Sequence, residues 1–200
     1  MINKIIFRRA VAFFMIAVSI AIAVTIITYT VNPDFKNVVE TFEMKSSDQF
    51  REATDMKKVW FYVVNNGFVV PFQMFALTLI PVQFLYLVNI ISTALMPGIL
   101  FGIILQTDSR KGMEIIASTV PHFVIEIFAF CLLAAVLFEL NQVIRSKIKN
   151  WFKKDQKELS LVDKVFKTLR FYVAVVLPMM IVAAFVETYV ADIIFNLFQL

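Results

Sequence analysis

Residues 10–31 read AVAFFMIAVSIAIAVTIITYTV, twenty-two positions without an Asp, Glu, Lys or Arg. About 20 apolar residues of helix are enough to cross the hydrocarbon core of a bilayer. Asn32-Pro33 closes the run. Lys4, Arg8 and Arg9 precede it, as basic residues precede a signal peptide. The run exceeds the usual signal-peptide apolar segment of about 7–15 residues, however, and no small-x-small cleavage site ends it. It reads as an uncleaved membrane helix.

The rest of the chain has the same character. Its apolar fraction is 60%, with 22 Phe and 4 Gly, and its mean hydropathy is +0.80. A soluble domain is nearer half apolar. Residues 59–105 form one apolar block, too long for a single helix. Two spans, 59–79 and 82–105, joined by a tight turn at Ile80-Pro81, fit it. A fourth span covers 121–142. Pro121 suits its first turn, with Ser118 and Thr119 as cap candidates and 113–120 as a helical lead-in. The fifth covers 171–198. Pro71, Pro81, Pro97 and Pro178 are expected to kink or break their helices. Between the first two spans, residues 34–57 are charged. Phe35, Val38, Val39, Phe42 and Met44 recur there near helical spacing. An amphipathic helix on the membrane surface fits this pattern, as does a solvated loop. The expected fold is an all-α polytopic helix bundle in one integral membrane domain, 1–200, with about five transmembrane helices.

The charges give an orientation. With the N-terminus inside, the cytoplasmic segments hold twelve basic residues against seven outside. Lys4, Arg8 and Arg9 and the run from Arg145 to Arg170 make up the twelve. By the positive-inside rule the chain is a multi-pass cell-membrane protein with a cytoplasmic N-terminus and an external C-terminus. No basic patch is interleaved with exposed aromatics, which sets nucleic acid aside as a partner. Cys131 is the only cysteine, so an intrachain disulfide is excluded.

In this topology several polar residues share one stratum in the outer half of the bilayer. His122, the sole histidine, and Glu126 lie one helical turn apart and point the same way. A charged residue at mid-helix costs roughly 2.5–3.5 kcal/mol to insert, so such residues mark buried sites. Asn65 and Asn66 on the second span and Glu187 on the fifth fall at similar depth, and Asn89 on the third lies nearer the inner half. A structural network, a binding cavity and a catalytic centre are all consistent with such a cluster. As chemistry, His122, Glu126 and Glu187 offer one nitrogen and two carboxylates. Zinc accepts such a set, although the H-E-x-x-H signature is absent. Without metal, a glutamate can activate water while His122 or an asparagine stabilises the oxyanion.

The motifs carry a family resemblance. The second span opens on Asn65-Asn66-Gly67-Phe68-Val69-Val70 and leads to Phe75-Ala76-Leu77. Asn89 precedes Pro97-Gly98. Pro121-His122-x-x-x-Glu126-x-x-Ala129 is similar to a Pro-His-Gly-x-x-Glu-x-x-Ala pattern, and Leu177-Pro178 leads to Ala183-Ala184-Phe185-Val186-Glu187. Over about residues 59–195 the chain resembles the stage II sporulation protein M family of small multi-spanning membrane proteins. It departs from the family at Phe123, where a glycine is usual, and in lacking an Asn-Gly pair on the third span. Both changes narrow a cavity there. The resemblance implies a membrane subunit in peptide or cell-envelope handling. That covers peptidoglycan remodelling and the maturation, export or immunity of circular bacteriocins. It also makes His122 and Glu126 the natural place for intramembrane peptidase chemistry.

Three functions follow: a non-catalytic membrane subunit, an intramembrane hydrolase acting on a hydrophobic peptide near the outer leaflet, and a permease element working with a separate ATPase. The expected partners are the lipid bilayer, membrane or ATPase subunits, a hydrophobic peptide and further copies of the chain.

Overall fold

A computed structural model of the protein describes residues 3–31, 54–151 and 161–198. Five helices in it are long and apolar enough to cross a membrane. They are α1 (Lys4–Val31), α2 (Asp55–Leu79), α3 (Leu87–Thr107), α4 (Ser109–Trp151) and α5 (Leu161–Phe195). The all-α polytopic bundle expected from the hydropathy pattern is the observed fold. The surface helix expected at 34–57 lies outside the described residues except for its last positions, where Asp55 opens α2.

Helix α4 is the centre of the bundle. In its most apolar window 67% of residues are buried, against 17% for α1. Nine consecutive residues, 129–137, are buried, so the helix is enclosed on all sides. All four other helices pack on it. Its length of 43 residues differs from the span expected at 121–142. Helix α4 begins immediately after Asp108, whose side-chain oxygen accepts the Lys111 N–H at 3.0 Å and so caps it. Pro121 therefore lies inside the helix. Ser118, expected as a cap, instead bonds the Ile115 carbonyl at 2.9 Å within it. Buried neighbours can re-satisfy the groups a proline frees, so α4 tolerates Pro121 mid-span.

Helices α1 and α3 meet along small residues. Buried Ala10, Ala17, Ala21 and Thr28 line α1, and Ala94, Gly98 and Gly102 line α3. A Cβ on Gly98 would stand 2.8 Å from the Ala21 carbonyl oxygen, and one on Gly102 would stand 2.6 Å from Thr28 Cβ. In lipid, helices associate through close packing of this kind because burial from water gives no drive. Helix α3 continues through Pro97.

Prolines shape α2 and α5 differently. The turns before Pro71 (Val63–Val69) and before Pro178 (Tyr172–Val176) are widened to π-helix. In each the N–H after the wide turn reaches five residues back, Val70 to Asn65 and Leu177 to Tyr172. Pro71 cannot donate to the Gly67 carbonyl four residues earlier. The Tyr172 hydroxyl of α5 donates to that carbonyl instead. The wide turn of α2 also touches α5 just past the wide turn of that helix, since a Cβ on Gly67 would lie 3.3 Å from Leu177 Cδ1. A third wide turn, Val186–Val190, carries Glu187.

Residues 80–86 turn the chain from α2 into α3, with Pro81 in the break. Helix α3 therefore starts at Leu87, later than the 82 suggested by hydropathy. The turn is held from α4: buried Asn141 donates to the Thr78 carbonyl at 2.9 Å and to the Ile80 carbonyl at 3.0 Å. Phe84, at φ 69°, stacks on Phe138 with ring centroids 5.6 Å apart.

Candidate functional site: a polar cavity between four helices

His122 and Glu126 project from α4 on one face, one turn apart. The wide turn of α2 brings Asn66 to them. Its side-chain amide donates to Glu126 Oε2 at 2.9 Å and its own oxygen accepts from Asn65 at 2.6 Å. From α5, Glu187 Oε1 lies 3.7 Å from His122 Nε2. Glu187 also accepts a hydrogen bond from the Tyr62 hydroxyl at the start of α2. Two polar chains result, Asn65–Asn66–Glu126 and Tyr62–Glu187–His122.

Both border one cavity of about 300 Å³. Helix α3 closes its other side with Ser92, Thr93, Met96 and Pro97, and Phe123 of α4 narrows it. Four of the five helices thus line the cavity and α1 does not. Glu126 is only 8% exposed, and the side chains of His122 and Glu187 are 12% and 20% exposed. These are shielded groups with protein partners, as polar residues at bilayer depth require. One atom lacks such a partner among the described residues: His122 Nδ1 is buried without a hydrogen bond.

Of the residues singled out in the sequence, Asn65, Asn66, His122, Glu126 and Glu187 line this one cavity. Asn89 does not. It sits one helical turn before Thr93, its carbonyl accepts the Thr93 hydroxyl at 2.8 Å, and its amide nitrogen is buried without a partner. Tyr62, Ser92 and Thr93 were not anticipated. The adjacent hydroxyls Ser92-Thr93 inside an apolar run were the available signal for α3.

The zinc arrangement does not fit. Among the described residues no three His, Cys, Asp or Glu side chains come together as a ligand set. Glu126 is turned to Asn66, while His122 is turned to Glu187. What the cavity does offer is two carboxylates to accept N–H groups, and hydroxyls and amides of either polarity. Apolar Val70, Met96, Pro97 and Phe123 interrupt these groups. That mixture suits a ligand with both apolar and polar parts.

No curated protein and no solved structure matches the chain. The family model described as Stage II sporulation protein M matches residues 10–192, nearly the whole length. The chain belongs to the stage II sporulation protein M family.

Proposed function

We propose that the protein is a non-catalytic membrane subunit that receives a hydrophobic peptide and holds part of its backbone in the polar cavity. In this role it assists peptide or cell-envelope handling, either the maturation, export or immunity of a circular bacteriocin or the remodelling of peptidoglycan. Its N-terminus faces the cytoplasm and its C-terminus the outside. One observation carries the reading. Four helices bring donors and acceptors to a single cavity of about 300 Å³ beside apolar walls. A peptide strand in hydrocarbon must satisfy its backbone groups, and such a cavity satisfies them.

The test uses the full chain in lipid nanodiscs, with a photoreactive residue in place of Ser92. It should capture an apolar peptide in extended conformation and leave it uncleaved. Glu126→Gln should lower capture on the order of tenfold, the worth of one charge-assisted hydrogen bond, without loss of helical circular dichroism. Equal capture by a photoreactive residue at lipid-facing Phe72, which is 74% exposed, would sink the reading.

A second reading is an intramembrane peptidase, and the placing of His122 and Glu126 side by side on the cavity wall favours it. Glu126 would take a proton from water as the water oxygen adds to a peptide carbonyl. His122 would donate to the resulting oxyanion, and the proton on Glu126 would pass to the leaving amine. The purified protein would then cleave the captured peptide and Glu126→Gln would stop it. Cleavage that survives this substitution rules out the assigned base.

A further inference from the structure

A second, larger cavity of about 880 Å³ lies at the end of the bundle where α1 and α5 begin and the α2–α3 turn sits. Among the described residues its charged lining is four cations, Arg9, Arg145, Lys149 and Lys164, against one carboxylate, Glu139. That carboxylate is already committed. Lys164 hydrogen-bonds it and Arg9 lies 3.8 Å away. Arg9 is also built into the wall. Its guanidinium donates to the Ala135 carbonyl at 3.3 Å and lies 4.1 Å from the centre of the Phe138 ring.

Arg145 and Lys149 are different. They stand one turn apart on an exposed face of α4. Among the described residues no carboxylate pairs with either. Arg145 is aimed by a 2.5 Å hydrogen bond to Gln83 Oε1 of the turn. Beside them the wall is apolar and open, with Ile5 59% and Ile148 40% exposed. A concave cluster of surplus cations flanked by apolar side chains, at the ends of membrane helices, matches the chemistry of a phosphodiester carrying acyl chains.

We propose that this cavity binds the phosphate of an anionic phospholipid. Arg145 and Lys149 hold the headgroup, and the acyl chains lie over Ile5 and Ile148. The guanidinium supplies paired N–H donors to the phosphate oxygens and the ammonium adds a point charge. A soluble phosphate compound would share the phosphate contacts but leave the apolar flank unused.

The proposal is tested on the full chain in detergent by native mass spectrometry. Phosphatidylglycerol is titrated against phosphatidylcholine of the same acyl length. Phosphatidylglycerol adducts should prevail by about tenfold. The double variant Arg145→Gln/Lys149→Gln should abolish the preference, and Arg145→Lys/Lys149→Arg should restore it. Arg110→Gln/Lys111→Gln makes the same charge change at the opposite helix ends and should leave it intact. Equal adducts of the two lipids would overturn the proposal. So would equal loss in the control variant, which would mark net charge as the cause. Displacement of phosphatidylglycerol by millimolar inorganic phosphate or ATP would assign the cavity to a soluble anion instead.

Discussion

Tyr172 shows how one side chain holds an irregular backbone in hydrocarbon. Its hydroxyl donates to the Gly67 carbonyl, to which Pro71 cannot donate. Tyr172→Phe keeps the ring and removes only that bond. The variant should lose about 1–3 kcal/mol, the cost of an orphaned buried carbonyl. Reversible unfolding in bicelles measures it, and an unchanged midpoint would mean that water or another donor replaces the hydroxyl. At this scale the sequence was informative where partners are local. His122 and Glu126 share a face by spacing alone. The Asn66–Glu126 bond joins residues sixty positions apart, and no local pattern encodes it. A tyrosine near a span end ordinarily anchors at the interface, whereas Tyr62 bonds Glu187.

At the scale of the helix, prolines have unequal effects. Those at 71 and 178 follow wide turns, and Pro81 lies in the break between α2 and α3. Pro97 and Pro121 sit within α-helix that runs on past them. A proline fixes its own φ and removes one donor, but its neighbours decide whether the turn widens. Pro121 likewise does not mark the start of α4, whose cap is Asp108 rather than Ser118 or Thr119. The wide turn of α2 adds a residue to the register and so aims Asn65 and Asn66. Pro71→Ala restores the donor and lets the turn relax. It should reduce peptide capture at Ser92 several-fold while leaving thermal stability near that of the parent. Parallel losses of both would instead show that Pro71 is needed only for folding. The α1–α3 seam makes a separate prediction. Gly102→Val places side-chain atoms where Thr25 and Thr28 already stand. Overpacking of this kind costs about 1–3 kcal/mol. In the same bicelle unfolding assay Gly102→Val should fall by that amount, and a change below about 0.5 kcal/mol would mean that the seam opens freely.

Over the whole molecule, charge and hydropathy made the five spans and the bundle legible, because both are properties of long segments. Which helix occupies the centre was not legible: α1 and α4 are both strongly apolar, and only burial separates them. The proposed orientation can be checked with exposed serines at opposite ends of the bundle, Ser109 before and Ser146 after the buried stretch of α4. In intact cells a membrane-impermeant maleimide should label Ser109→Cys and spare Ser146→Cys until the cells are opened. The reverse pattern would invert the topology. Cys131 is buried and supplies little background.

The pairing of helices has a mechanical consequence. Helices α1 and α3 are stitched together by glycines, and α2 is tied to α5 at Gly67 and Tyr172. Helices α2 and α3 are joined by a short turn yet barely touch. The molecule is thus two leaves on a common spindle, α4. Glu126 rides on the spindle, and Asn65, Asn66 and Glu187 ride on one leaf. Ser92 and Thr93 ride on the other. Swinging only the α1–α3 leaf away from the spindle would widen the cavity along the loosely packed α2–α3 side and leave Glu126 with Asn66 and Glu187 with His122 and Tyr62.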